Sequence, residues 1–251
     1  WFGADHEIVA CETFAEVFAT YAEGRADAMV VAVENSIYGS INEVYQLIEA
    51  ADIPIIGEIK LTIAQQLIAL PGATLADITE IYSHPVALAQ CTETLARLAP
   101  HAKLVEYYDT AAAVEFIAHE GNPQFAAIAS RGAATRYDLP ILEADVQDSE
   151  HNMTRFLVLS REPSLQPSDT NRASLVVTTN HQPGALVEVL QLFADAGINL
   201  AKLQSQPIVG QPWNYKFFIV ADGDRESISK VREQITQTGH VAQLLGYYTA
   251  A

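Results

Sequence analysis

Several apolar runs in this chain give way abruptly to side chains that can donate or accept hydrogen bonds. Glu34, Asn35 and Ser36 follow the run 28–33; Ser83 and His84 follow 80–82; Asp109 and Thr110 follow 104–107; Ser130 follows 125–129. Each group stands where a helical pattern begins, so each is a natural N-cap, and Pro85 fits the first turn of its helix. For Asn35 and Ser36, turn formation is an equally local explanation. Together the positions carry a second meaning. In an open α/β sheet such junctions share the carboxyl edge of the strands, where ligands bind. Helix N-termini there offer free N–H groups and positive dipole ends, enough to hold a small carboxylate with few basic side chains. Residues 152–160, Asn-Met-Thr-Arg-Phe-Leu-Val-Leu-Ser, reverse the order: the polar pair Thr154–Arg155 precedes the apolar run. Strand alternation puts Thr154 and Phe156 on one face and Arg155 on the other. A hydroxyl so placed can face a cleft while the guanidinium braces it or reaches a carboxylate from the side. Alone, Thr154 also reads as an ordinary β-branched strand residue.

Positioning these groups needs strands and helices in alternation. Strands are expected at 7–11, 28–33, 80–82, 104–107, 125–129 and 156–160. Helices are expected at 14–23, where Phe14, Val17, Phe18 and Tyr21 share a face, and at 41–50, 86–98, 111–119 and 132–137. Gln90 and Cys91 fall about two turns into the helix 86–98, where Cys91 reads as a small buried side chain. Residues 53–70 read as one long extended segment closed by Pro71-Gly72. This order implies a mostly parallel sheet covered on both faces. Residues 161–172, with two prolines and two serines, read as a linker. Beyond it come a strand at 173–179, a helix at 184–196, strands at 199–205 and 215–220, a helix at 226–236 and a strand at 241–248. That is βαββαβ, a ferredoxin-like sandwich.

Composition narrows the function classes. The chain is 49% hydrophobic and 18% charged, enough for a sizeable core. Its 31 acidic and 14 basic residues give a net charge of −17, which opposes nucleic-acid binding and leaves an anionic small molecule open as a ligand. Two cysteines are too few for a disulfide framework and point to a reducing, cytoplasmic setting. No apolar run is long enough to span a membrane. The chain opens on Trp1 without an initiator Met, so residues are expected to precede it.

The blocks 33–48, 82–91, 109–114, 126–130 and 152–160 resemble, in order and spacing, those of prephenate dehydratase. The module that follows resembles an ACT domain, the similarity running through 183–207. The resemblance covers nearly the whole chain, and it implies an α/β fold: a two-lobed, periplasmic-binding-protein-like catalytic domain plus the ferredoxin-like ACT domain. Its catalytic part would be 1–162, with lobe 1 about 1–62 and 137–162 and lobe 2 about 63–136. The linker would be 163–172 and the regulatory domain 173–251, with the segment 53–70 crossing between lobes. The family begins with a strand and a Gly-rich turn that help form the cleft; this chain starts after them, so that strand is expected to be missing.

The implied reaction is loss of carbon dioxide and water from prephenate to give phenylpyruvate, on the way to phenylalanine, with neither cofactor nor metal. The family's essential threonine falls on Thr154. Substrate-side positions fall on Glu34, Asn35, Ser36, Ser83, Gln90, Asp109, Thr110, Ser130, Arg155 and Phe156. Because the product ring is aromatic, the driving force is already in the substrate. The enzyme must help hydroxide leave, and a threonine hydroxyl suits a positioned donor better than a free acid. In the regulatory half, Pro183, Gly184, Ala185 and Leu186 match the helix start that binds phenylalanine, with Asn199, Gln204 and Ser205 opposite. There the family's Glu-Ser-Arg-Pro is Gln204-Ser205-Gln206-Pro207, two amides in place of two charges. Phenylalanine feedback is expected to survive that change. The exposed edge of such a module predicts a homodimer or homotetramer through ACT domains. Two other readings stay open: an arogenate dehydratase, and a non-catalytic amino-acid-sensing binding protein on the same scaffold.

Overall fold

A computed structural model describes residues 2, 6–149, 151–208, 210, 211 and 214–251. The expected start of lobe 1 at Trp1 lies outside the described residues, and the expected linker 163–172 lies within them. The chain divides into two units, Trp1–Leu61 with Thr154–Ala251, and Thr62–Met153.

In the first unit, helix α1 (Phe14–Ala22) starts at Thr13, whose hydroxyl accepts the Glu16 N–H, and buries Phe18. Strand β1 (Met29–Asn35) alternates Met29, Val31 and Val33 into the core. It turns tightly into β2 (Gly39–Ser40), where Gly39 takes the positive φ that the turn requires. Helix α2 (Asn42–Ala51) and β3 (Ile55–Thr62) follow, and β9 (Met153–Leu159) returns from far along the chain. The sheet order is β2-β1-β9-β3.

The ACT-like part of this unit is β10 (Arg172–Thr178), α7 (Ala185–Asp195), β11 (Asn199–Pro207), β12 (Tyr215–Asp222), α8 (Arg225–Gln237) and β13 (Val241–Tyr248). Its antiparallel order is β11-β12-β10-β13, the expected βαββαβ sandwich. Strand β10 is buried on both faces, and alternation decides which core each side chain joins. Leu175 and Val177 pack with α7 and α8, whereas Val176, with Phe218, Leu245 and Tyr248, joins the core of β1, β9 and α2. The Tyr45 and Phe218 rings meet with centroids 4.9 Å apart. The ACT-like part therefore shares a hydrophobic core with the strands that carry Asn35 and Thr154. At Gly246, φ is +156 and a Cβ would fall 2.2 Å from the Ile55 carbonyl oxygen, so only glycine lets β13 approach β3.

The second unit orders its strands β6-β5-β7-β4-β8. These are β4 (Gln66–Ala69), β5 (Glu80–Ser83), β6 (Lys103–Glu106), β7 (Phe125–Ala129) and β8 (Ile141–Glu143). The helices are α3 (Pro85–Ala89), α4 (Thr92–Leu98), α5 (Thr110–Glu120) and α6 (Arg131–Arg136).

Several sequence expectations need revision. Residues 7–11 form no strand, and Ile8 is largely exposed. The segment 53–70 is two strands, β3 and β4, in different sheets. The helix 86–98 breaks at Gln90 and Cys91, because Asp148 accepts the Glu93 and Thr94 N–H groups and so starts α4 afresh. Residues 137–153 fall with the second unit, since β8 pairs with β4. The expected mostly parallel sheet is found as β5 pairing in parallel with β6 and β7; β4 is antiparallel to β7 and β8, and β1 is antiparallel to β2 and β9. An apolar run does not report strand direction, and in β1 it does not report burial on both faces either, since Val30 is exposed. The direction of β1's pairing is set by a tight turn on one side and a distant segment on the other.

Candidate active site

The register of β1 against β9 sets Asn35 opposite Thr154 and Glu34 opposite Arg155, just beyond a bulge between Ala32 and Glu34. Asn35 Nδ2 donates to Thr154 Oγ1 at 3.1 Å. The orientation of that amide follows from its other contacts. Asn35 Oδ1 accepts the Ile37 and Tyr38 N–H groups at 3.0 and 3.1 Å, so the NH2 end must be the one facing Thr154. Thr154 Oγ1 is thereby an acceptor, and its own proton is left to be donated elsewhere. A hydroxyl that accepts one hydrogen bond is polarised toward donating another. The run 33–40 is thus a hairpin and not a strand-to-helix junction, and the Asn35 side chain is both its turn former and a neighbour of Thr154. Ser36 is exposed on the same turn, and Phe156 is half-buried two residues along β9 from Thr154.

Behind this pair lies a set of charges. Arg155 Nη2 is 2.8 Å from Glu34 Oε2 and donates to the Tyr45 hydroxyl at 3.3 Å; its Nη1 is 3.7 Å from Glu58. Glu58 is buried and also takes Arg172 at 3.0 Å, which in turn binds Asp222 at 2.7 Å. Lys202 of β11 reaches Glu34 Oε1 at 2.6 Å. Burial opposes ionisation of Glu34, but the Lys202 hydrogen bond and the Arg155 charge outweigh it and hold the carboxyl below its usual range. A carboxylate held ionised in this way does not suit a proton donor near neutral pH. Burial raises the Tyr45 phenol to about 12, so its hydroxyl stays protonated. Arg155 braces the Thr154 strand, its guanidinium already shared among Glu34, Glu58 and Tyr45.

The second unit gathers the other predicted positions. Ser83, Asp109 and Ser130 stand at or beyond the carboxyl ends of the parallel trio β5, β6 and β7. Asp109 and Ser130 are N-caps, accepting the Ala112 and Ala133 N–H groups at 2.9 and 3.3 Å, and Thr110 is the first residue of α5. Ser83 is fully buried and donates to the Ile128 carbonyl at 2.6 Å, so it ties β5 to β7. Gln90, at the break between α3 and α4, accepts from Gln65 at 3.1 Å. Burial, and after it the Asp148 charge, lift the Cys91 thiol to about 12, as expected of an inert interior cysteine.

In the ACT-like part, Pro183 and Gly184 are exposed at the start of α7, with Gly184 as its N-cap at positive φ. Ala185 is buried and Leu186 half-buried. Asn199 donates to Asp222 at 3.1 Å, and Gln204 donates to Asn42 at the start of α2. Ser205 lies exposed on β11, and Gln206 is buried with neither amide atom paired among the described residues. Lys202, Tyr45, Glu58 and Arg172 were missed at the sequence level. Only the period-2 placement of Lys202 with Gln204 and Gln206 on one face of β11 could have pointed to one of them.

Residues 1–164 match a family model described as "Prephenate dehydratase", and residues 173–240 match one described as "ACT domain". The chain is 33% identical over 253 residues to a bifunctional chorismate mutase/prephenate dehydratase of Aquifex aeolicus, covering 100% of this chain and 69% of that protein. It is 34% identical over 242 residues to the protein of the same description from Escherichia coli K12, covering 95% of this chain and 62% of the relative's length. Among solved structures, prephenate dehydratase in complex with L-Phe from Arthrobacter aurescens superposes with a TM-score of 0.85 at 29% identity, covering 97% of this chain and 81% of that one. No described helix is long and apolar enough to cross a membrane.

Proposed function

The chain belongs to the prephenate dehydratase family, and from that premise we propose that it converts prephenate to phenylpyruvate, with Thr154 donating to the departing hydroxyl. In this reaction the bond between the ring and its carboxylate breaks, carbon dioxide leaves, and that electron pair enters the ring. The ring then expels hydroxide, which takes a proton and leaves as water. Thr154 Oγ1 supports the expulsion by donating a hydrogen bond or relaying a proton, then regains its proton from solvent. The observation that carries this reading is the fixed Asn35 amide, which makes Thr154 an acceptor on one side and frees its hydrogen for a ligand. Such a donor contributes about 10²–10⁴-fold.

Asp109, Thr110, Ser130 and Gln90 enter the reading as substrate-side groups of the second unit, with Ser83 and Arg155 holding strands in place. L-phenylalanine is the effector in this reading, bound by the helix start 183–186 with Asn199, Gln204 and Ser205. The support is the ACT match and the L-Phe complex of the Arthrobacter relative. Assembly as a homodimer or homotetramer is supported by β11, whose outer edge ends the ACT sheet. Residence in the cytoplasm is supported by two cysteines outside any disulfide.

The test is incubation with prephenate, followed by phenylpyruvate absorbance in alkali. The protein is expected to form phenylpyruvate and to slow when L-phenylalanine is added. Inertness to prephenate would contradict the reading, and phenylalanine formed from arogenate instead would move it to the amino analogue.

A further inference from the structure

We infer that Lys202, on strand β11 of the ACT sheet, is a positioning residue for the chemistry at Thr154, acting through Glu34. The inference deepens the proposed dehydratase reading and rests on it. Lys202 Nζ lies 2.6 Å from Glu34 Oε1 and 2.6 Å from Ser40 Oγ, and its side chain is only 10% exposed. Glu34 and Ser40 are register partners on β1 and β2, so one ammonium clamps both strands of the hairpin that carries Asn35. The clamp sits just beyond the bulge between Ala32 and Glu34, where pairing with β9 resumes at Glu34 and Asn35. Glu34 uses its second oxygen to hold Arg155, the residue next to Thr154. Lys202 thus reaches both members of the Asn35–Thr154 pair through one carboxylate.

Other cations of the ACT sheet reach the same neighbouring elements without touching this hairpin. Lys216 pairs with Glu49 in α2, and Arg172 with Glu58 in β3. Lys202 differs in meeting the acid adjacent in sequence to Asn35. It also lies two residues from Gln204, which contacts Asn42 at the start of α2. The strand proposed to meet the effector is therefore the strand that grips the hairpin.

The experiment compares the full-chain wild type with Lys202→Met, Lys202→Arg and Lys216→Met, measuring kcat and KM for prephenate, the pH profile of kcat, and the melting temperature. Lys202→Met is expected to lower kcat about tenfold with KM little changed. It is also expected to shift the acid limb of the profile to higher pH, because Glu34 loses a group that holds its carboxyl down. The charged and titratable groups facing Glu34 are Lys202 of β11, Arg155 of β9 and the Tyr45 phenol of α2. Lys202→Arg should restore most of kcat. Lys216→Met should lower the melting temperature at unchanged kcat. Unchanged kcat in Lys202→Met, or losses in both Lys202 variants that merely follow melting temperature, would overturn the inference while leaving the dehydratase reading intact. A wild type inert to prephenate would sink that reading, and the inference with it.

Discussion

The hairpin and strand around Thr154 are built differently from the parallel edge that holds Ser83, Asp109 and Ser130. At the parallel edge Asp109 and Ser130 are satisfied locally, each capping the helix that follows it, and Ser83 makes one backbone bond to the neighbouring strand. Around Thr154 the partners are distant in sequence. Asn35 lies 119 residues away, and Lys202 lies 168 residues from the Glu34 it binds. Local satisfaction makes each site at the parallel edge nearly independent of the others. The Thr154 region is one coupled set, Lys202–Glu34–Arg155–Glu58–Arg172–Asp222, drawing on β1, β3 and β9 and on the ACT sheet. A side chain gains a fixed geometry from such a network, and it becomes sensitive to the ACT sheet that shares the network.

The sharpest way to break this contrast is Glu58→Gln. Glu58 is buried and stands between Arg155 and Arg172, so its loss leaves two guanidinium groups with less compensating charge. The expected cost is about 3 kcal/mol in urea unfolding, accompanied by lower activity. A smaller effect is expected at the parallel edge. Asp109→Ala removes one helix cap and should cost about 1 kcal/mol, with Asp109→Asn recovering most of it. Equal costs for Glu58→Gln and Asp109→Ala would erase the distinction between a coupled and a local site.

Much of the parallel edge was legible in the sequence, because capping is a short-range code: Asp109 and Ser130 precede their helices and accept from the N–H three residues on. The βαββαβ order was legible for the same reason, since each strand and helix announces itself by its own period. The residues 7–11 show the limit of that method, as an apolar run becomes a strand only where a partner exists. The break at Gln90 was invisible because its cause, Asp148, lies more than fifty residues on. The resemblance of the separate blocks put Asn35 and Thr154 in one site, but their pairing was not legible, since nothing near Thr154 names its partner. Lys202 stayed hidden because a lysine alternating with two glutamines on a strand looks like a solvated face. It is buried here because the ACT sheet uses its open face as a second core surface.

The central claim is that the Thr154 hydroxyl, held as an acceptor by Asn35, donates to the leaving group. Its most direct test is kcat for Thr154→Val, which keeps the branched shape and removes the hydroxyl, alongside Thr154→Ser, which keeps the hydroxyl. Thr154→Val is expected to lower kcat about 10²–10⁴-fold at an essentially native melting temperature, with Thr154→Ser retaining substantial turnover. Wild-type kcat in Thr154→Val would contradict it.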